Sequence, residues 1–441
     1  MQTDTNDPRE LIARSRMSAM QVLVIGITVA LNALDGFDVA SISFAGPGIR
    51  REWGIDQGAL GIVLSMEVVG MALGSLCLGG VADKIGRRRT ILGCTAVMAL
   101  GMFMVPTTHG LVTLSIWRVI TGLGIGGMLA VTNAVSAEFS STKRRNLSVT
   151  LMSCGYPLGA VVGGTIAQRL LAIYGWRSVF YLGAISTVIL IPVVLVFIPE
   201  SVQWLTQRRP AGALENINKT LRRFGHKAIA SLPPIGPAAR SLSIADIFKP
   251  GLVHITILVT LAYFFHITTF YFIIKWTPNV VADFGFPPSS AAGVLVWANV
   301  GGLFGGLVFA ALTQKFALRP LTIASMAIGT VMVSLFGITP HDLAKLSMVC
   351  AVAEFFINGA IVGMYALFAQ AFPTHVRAFG SGFAIGLGRG GSFLAPIIAG
   401  FLFQAGYGLA VVAVVMGLGS TMAAIVLMML KTGSEASAAV T

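Results

Sequence analysis

Twelve apolar segments of about 20 residues or more leave this chain few ways to fold. They run at 19–46, 56–82, 90–108, 110–137, 145–172, 176–198, 251–279, 289–313, 319–339, 343–371, 378–403 and 407–430. A helix of that length crosses the hydrocarbon core of a bilayer and pairs its own backbone N–H and C=O groups on the way. The expected fold class is an all-α membrane protein with twelve transmembrane helices. The charge content points the same way: 11% of the 441 residues are charged, against roughly 25% in an ordinary soluble domain, which excludes a soluble globular enzyme. Cys77, Cys94, Cys154 and Cys350 all lie inside apolar runs and read as small core residues. The first segment is too long for a signal h-region and is followed by further spans, so it is expected to remain in the mature protein.

The net charge of +13 would suit nucleic acid only if the basic residues shared one soluble face. They alternate by side instead. Counted loop by loop, 22 of the 30 Lys and Arg residues fall on the side that holds both termini and the 199–250 connection. The positive-inside rule makes that side cytoplasmic. The expected partner is the lipid bilayer, with no nucleic acid.

The 199–250 connection is polar and basic, carries the stretch Leu232-Pro233-Pro234-Ile235-Gly236-Pro237, and divides the spans six and six. The two sides of it are related by duplication. A shift of 231 residues places Asp35 on His266, Asp38 on Thr269, Gly70 on Gly301, Gly74 on Gly305, Lys84 on Lys315 and Arg88 on Arg319; a shift of 232 places Glu138 on Gln370, Thr142 on Thr374, Arg145 on Arg377 and Gly159 on Gly391. The expected domains are therefore a six-helix half at 1–198, a cytoplasmic linker at 199–250 and a second six-helix half at 251–441. Parallel repeats of this kind fit a transporter whose substrate site lies near the midplane between the halves and whose access alternates by rocking. The first half keeps Asp35, Asp38, Glu67, Asp83, Glu138 and Arg118, whereas the second has an unmatched Arg389. Proton handling is expected in the first half and much of the substrate cradle in the second.

An ionised carboxylate within a span is costly, so Asp35 and Asp38 need a compensating role. Asn32, Asp35, Asp38 and Ser41 follow one another at i,i+3 and form a polar stripe on an otherwise apolar helix, expected to face the central cavity with Asn32 as a substrate-binding residue. Two carboxylates that close, in a poorly hydrated place, disfavour double ionisation, so one of them can hold a proton. Counting residues inward from the span ends puts Asp35, Asp38, Glu67 and Arg118 at similar depth. Arg118 is expected to pair with an aspartate when the site is deprotonated and to be released on protonation; a fixed buried ion pair is the structural alternative.

Arg389 stands among glycines in Gly386-Leu387-Gly388-Arg389-Gly390-Gly391. Its planar fork matches a carboxylate bidentately; the alternative is a structural pair, with Glu354 the nearest acid by depth. His266, flanked on one helical face by Tyr263, Thr269 and Phe270, offers a hydrogen-bonding group beside rings that suit a hydroxylated aromatic acid. A span histidine among aromatics also serves simply as a packing residue. At cytoplasmic span ends, Asp83 with Arg87 and Arg88, and Glu138 with Arg144 or Arg145, read as gating contacts, with Arg377 at the repeat position of Arg145. No phosphate-cradling loop, metal-ligand cluster or nucleophile-base set is present in the sequence, so no enzyme activity, metal or cofactor is expected beyond the proton as coupling ion.

Gly79-Gly80-Val81-Ala82-Asp83-Lys84-Ile85-Gly86-Arg87-Arg88 between spans two and three resembles the G-x-x-x-D-x-x-G-R-R signature of the major facilitator superfamily. Arg118 with Gly122, Gly124, Gly126 and Gly127, the run Gly155-Tyr156-Pro157-Leu158-Gly159, and Pro199-Glu200-Ser201 resemble further motifs of that superfamily. Leu34-Asp35-Gly36-Phe37-Asp38 resembles the D-G-x-D motif of its aromatic acid:proton symporter family, bacterial importers of benzoate-type and hydroxybenzoate-type anions. The resemblance implies a monomeric, multi-pass protein of the cell inner membrane that moves an aromatic carboxylate such as benzoate, 4-hydroxybenzoate or protocatechuate with protons. It implies that Asp35 and Asp38 are needed for transport, with Asp83, Arg118, Glu138, Arg377 and Arg389 at matching positions. Gln314 stands where an acid would mirror Asp83. Two other functions fit the same spans: a proton-coupled organic-cation antiporter using the first-span acids, and a membrane chemoreceptor.

Overall fold

The computed structural model describes residues 7–233, 244–250, 252–373 and 376–430. Among them are twelve helices long and apolar enough to cross a membrane: Ala19–Trp53, Gln57–Ile85, Arg87–Thr107, Leu111–Glu138, Arg145–Tyr174, Arg177–Phe197, Val253–Asp283, Pro288–Leu312, Leu318–Phe336, Leu343–Ala371, Phe379–Gln404 and Leu409–Met429. They are called spans one to twelve below. Thr374, Lys431 and the Pro234–Pro237 part of the proline stretch lie outside the described residues.

The apolar stretches foretell each helix, but caps rather than hydropathy set the ends. Span one continues through Pro47 and over Arg50, Arg51 and Glu52 before it stops. Gly54 stops it: its φ is +62° and its N–H bonds to the Arg50 carbonyl at 2.9 Å, the left-handed cap that glycine adopts most cheaply. Span eleven passes through Arg389 without a break: its φ and ψ are −60° and −12°, its N–H bonds to the Ile385 carbonyl at 3.0 Å, and its own carbonyl accepts from the Phe393 N–H at 3.3 Å.

The chain forms two compact units. One comprises Met1–Val39, Met66–Ala160 and Phe180–Ala239; the other comprises Ala40–Ser65, Val161–Val179 and Arg240–Thr441. The 199–250 connection is more structured than its polarity suggests. Helices Val202–Arg208 and Ala213–Arg223 bury Trp204, Leu205, Ile217 and Leu221 in the core of the first unit, together with Leu31, Ile91, Met98, Ile125 and Phe139. The second of these helices carries its apolar residues on one face and its charges on the other, which a polar average conceals.

Glycines set the closest helix crossings, and the repeat reproduces them. A Cβ at Gly70 or Gly74 of span two would fall on the Val119 or Leu123 carbonyl of span four, and one at Gly122 or Gly126 of span four on the Glu67 or Met71 carbonyl. The matching Gly301 and Gly305 of span eight meet the Ala351 and Phe355 carbonyls of span ten in the same way. In lipid no hydrophobic drive joins helices, so such backbone-to-backbone packing supplies much of the association.

Within the second unit, Arg50 donates to both carboxylate oxygens of Asp283 at 2.6 and 2.9 Å, and Gln57 donates to the same group at 3.1 Å. Arg177 grips Glu52 through two bonds of 2.7 Å.

Candidate functional site

Four charged side chains, all shielded from solvent, cluster in the first unit. Asp35 and Asp38 come from span one, Glu67 from span two and Arg118 from span four, and none is more than 1% exposed. The small residues described above let the helices approach closely enough to bring them together. Gly122 lies one turn beyond Arg118 and rests on the Glu67 backbone, which aligns the Arg118 and Glu67 side chains.

Arg118 makes its ion pair with Glu67. Its Nη2 also donates to the backbone carbonyl of Asp38 at 3.0 Å, Nη1 lies 3.4 Å from the Met102 sulfur, and the guanidinium carbon sits 5.5 Å from the centre of the Phe180 ring. Glu67 thus joins the aspartates expected around Arg118 and makes a direct pair with it. The Asp38 carboxylate lies within the electrostatic reach of the same guanidinium. Gly183 of span six backs it, since a Cβ there would stand 2.9 Å from Asp38 Oδ1.

Asp35 is different. Both of its carboxylate oxygens are buried with no hydrogen-bond partner among the described residues, and Asp38 and Glu67 are its acidic neighbours. Glu67 and Asp38 flank the Arg118 guanidinium, and Asp35 neighbours those two acids. With all three ionised, the three acids and Arg118 would carry a net charge of two negatives out of water, a costly arrangement. Asn32, one turn before Asp35, donates to the Met152 carbonyl at 2.7 Å and holds span one against span five.

In the second unit, Tyr263 of span seven is buried, with its hydroxyl 3.2 Å from that of Tyr365 and its ring edge-to-face with Phe368. A Cβ on Gly388 would contact the Tyr263 ring, and one on Gly391 would fall on the Phe264 carbonyl, so the stretch around Arg389 is packed directly on span seven. Arg389 is half-buried and within electrostatic reach of Tyr263. Tyr365, 43% exposed, adds a ring and a hydroxyl that sequence reasoning passed over. Its only signal was a lone tyrosine in an apolar span.

The structure does not extend that surface to His266. The imidazole is fully buried, with Nδ1 2.9 Å from the Ser420 hydroxyl and Nε2 3.0 Å from the Ile357 carbonyl. A neutral ring that donates from Nε2 and accepts at Nδ1 satisfies both contacts. Thr269, the partner of Asp38 in the repeat, donates to the Met416 carbonyl at 2.7 Å and accepts from the Ser420 amide at 2.9 Å. Phe270 is half-buried and packs edge-to-face on Tyr271. Glu354 lies at Gly302 of span eight rather than at Arg389, with Oε1 buried and unbonded among the described residues.

The charged motif after span two is assembled within the first unit. Gly86 turns the chain at φ +107°, and a Cβ there would run into the Glu200 carboxylate. Glu200 Oε1 accepts from the backbone N–H groups of Arg87 and Arg88, at 2.7 and 3.2 Å, at the start of span three. Arg87 pairs with Asp83 at 2.5 Å and with Glu138 at 3.5 Å. Glu138 therefore meets Arg87 and the Ser201 hydroxyl instead of the expected Arg144 or Arg145. Arg145 is exposed, with no ion pair among the described residues, and Arg377 is exposed, its Nε 3.4 Å from the Phe372 carbonyl. The mismatch has a simple origin: Arg145 begins span five, and neighbours in sequence across a turn need not face each other.

Comparison with known proteins agrees with this architecture. Residues 28–298 match the family model described as Major Facilitator Superfamily. The chain is 28% identical to the 4-hydroxybenzoate transporter of Pseudomonas putida, over 88% of this chain and 87% of that one. It is 29% identical to the 3-(3-hydroxy-phenyl)propionate transporter of Escherichia coli K12, over 89% and 90%, and 26% identical to the gallate transporter of Pseudomonas putida, over 96% and 94%. The D-xylose-proton symporter crystal structure shares the fold, with a TM-score of 0.73 at 18% identity, over 93% of this chain and 97% of that one. These relatives are transporters and not enzymes, and the resemblance carried by Asp35-Gly36-Phe37-Asp38 agrees with their names. The chain is a multi-pass membrane protein that belongs to the Major Facilitator Superfamily.

Proposed function

We propose that the protein is a proton-coupled importer of an aromatic carboxylate, working by alternating access, with the proton as its coupling ion and no other cofactor. One observation carries the coupling: Asp35, Asp38 and Glu67 are buried as neighbours, Arg118 pairs with Glu67, and both oxygens of Asp35 are unbonded among the described residues. In this reading Asp35 holds the proton. Its release leaves a carboxylate that competes with Glu67 for Arg118, and the two arrangements are the states that protonation selects.

Arg389 receives the substrate carboxylate. It stands in a glycine-rich stretch of span eleven where Gly388 and Gly391 pack on span seven, and its planar fork suits a carboxylate. Tyr263, Tyr365 and Phe368 supply rings nearby for an aromatic acid. His266 acts as a tie between spans seven, ten and twelve, and Phe270 packs. The names of the relatives support an aromatic acid as the substrate class. A cation antiporter is disfavoured by the charge on Arg389, which would repel such a substrate.

Uptake into proteoliposomes tests the reading. Labelled 4-hydroxybenzoate, benzoate, a sugar and an organic cation are supplied with and without an inward proton gradient. Accumulation of an aromatic acid only with the gradient is the expected result. Gradient-independent equilibration, or accumulation of the cation on reversal of the gradient, would sink the proposal.

A further inference from the structure

We propose that the basic end of the first unit carries a binding site for the phosphate headgroup of an anionic phospholipid. A cavity of about 580 Å³ opens there between the start of span three, the end of span six and helix Ala213–Arg223. Arg88, Arg89, Lys219 and Arg223 line it, together with a single acid, Glu200.

That acid is already engaged. Glu200 Oε1 accepts from the N–H groups of Arg87, Arg88 and Ser201, so it caps a helix start rather than neutralising the cations opposite. Arg88 gives Nη2 to the Leu195 carbonyl but keeps a buried Nε–H with no acceptor among the described residues. Arg223 reaches the Val196 carbonyl at 3.2 Å. Arg89 and Lys219 are exposed and form no ion pair among the described residues. A concave wall with four cations and one committed carboxylate is complementary to a phosphate, whose oxygens take several N–H donors at once.

The apolar side of the cavity chooses between a free phosphate and a lipid. Leu195 and Val196 line it and are 46% and 56% exposed, on a helix that crosses the membrane. An acyl chain can run along that face while its headgroup meets the cations, which a soluble ion leaves uncovered. The distribution of Lys and Arg puts this end on the cytoplasmic side, where basic pockets between spans and anionic headgroups meet.

Native mass spectrometry of the full chain in detergent tests the site, with titrations of phosphatidylglycerol, phosphatidylcholine and inorganic phosphate. The variant combines Arg89→Gln with Lys219→Gln and leaves Arg87, Arg88 and Glu200 in place. Phosphatidylglycerol is expected to bind the native chain in preference to phosphatidylcholine, and the double variant to lose roughly 30-fold in affinity for it. The charge-conserving pair Arg89→Lys and Lys219→Arg should keep that affinity, which separates loss of charge from loss of fold. Equal binding of the two lipids, or undiminished binding by the Gln variant, would overturn the proposal. Displacement of phosphatidylglycerol by an equal concentration of inorganic phosphate would overturn it too and assign the cavity to a soluble anion.

Discussion

Arg118 holds Glu67 in an ion pair and, through the same Nη2, the backbone carbonyl of Asp38. One guanidinium thus ties span two and span one to span four, while the carboxylate of Asp38 stays within its field. The pair is structural and electrostatic at once. Its removal should show in stability, and its rearrangement in transport.

Glu67→Gln leaves Arg118 buried without its direct charge partner. The expected loss is about 3 kcal/mol of stability, typical of breaking a buried pair from one side. Replacing both, Glu67→Gln with Arg118→Leu, should recover part of it, since no orphan charge remains. Melting in detergent, followed by tryptophan fluorescence, reads both. Full stability of the single variant would show that the pair carries little.

Asp35→Asn keeps the shape and removes the ionisable group. Because Asp35 makes no hydrogen bond among the described residues, the variant breaks no bonded contact and should still fold and insert, which melting in detergent checks. Accumulation driven by a proton gradient should fall to the protein-free background, with substrate exchange between the two sides retained. Gradient-driven accumulation by the variant would remove Asp35 from the coupling role.

Arg389→Lys keeps the charge and loses the fork. Binding of a benzoate-type anion should weaken by about tenfold or more, the loss of one charge-assisted hydrogen bond, while the corresponding amide binds as before. Isothermal titration with both ligands makes the comparison. An equal loss for the two would give Arg389 a structural role.

Glycines of the crossings should divide sharply. Gly159→Ala places a methyl group on the Ala33 carbonyl, whereas Gly26 has open space around it. The first variant should be poorly inserted or lose several kcal/mol through overpacking, and Gly26→Ala should be indistinguishable from the native chain. Membrane yield and melting temperature decide it.

Much of this was legible in the sequence because lipid restricts the options so severely. Twelve spans, the internal duplication and the shared depth of Asp35, Asp38, Glu67 and Arg118 follow from apolar length, self-similarity and helical rise. Pairing was less legible. Asp38, Asp35 and Glu67 are equivalent by depth, and only the rotation of each helix about its axis, set by glycine contacts such as Gly122 on the Glu67 backbone, decides which one meets Arg118. His266 and Glu138 show the same limit. Their partners Ser420, Ile357, Arg87 and Ser201 lie mostly far along the chain, where periodicity and spacing carry no information.

The central claim is that an aromatic acid and a proton cross together. Weakly buffered proteoliposomes with no imposed gradient, given external 4-hydroxybenzoate while external pH is recorded against protein-free vesicles, test it directly. The account predicts alkalinisation outside that tracks uptake of the acid in the native protein and is absent in Asp35→Asn. Uptake of the acid by the native protein with no accompanying proton movement would contradict it.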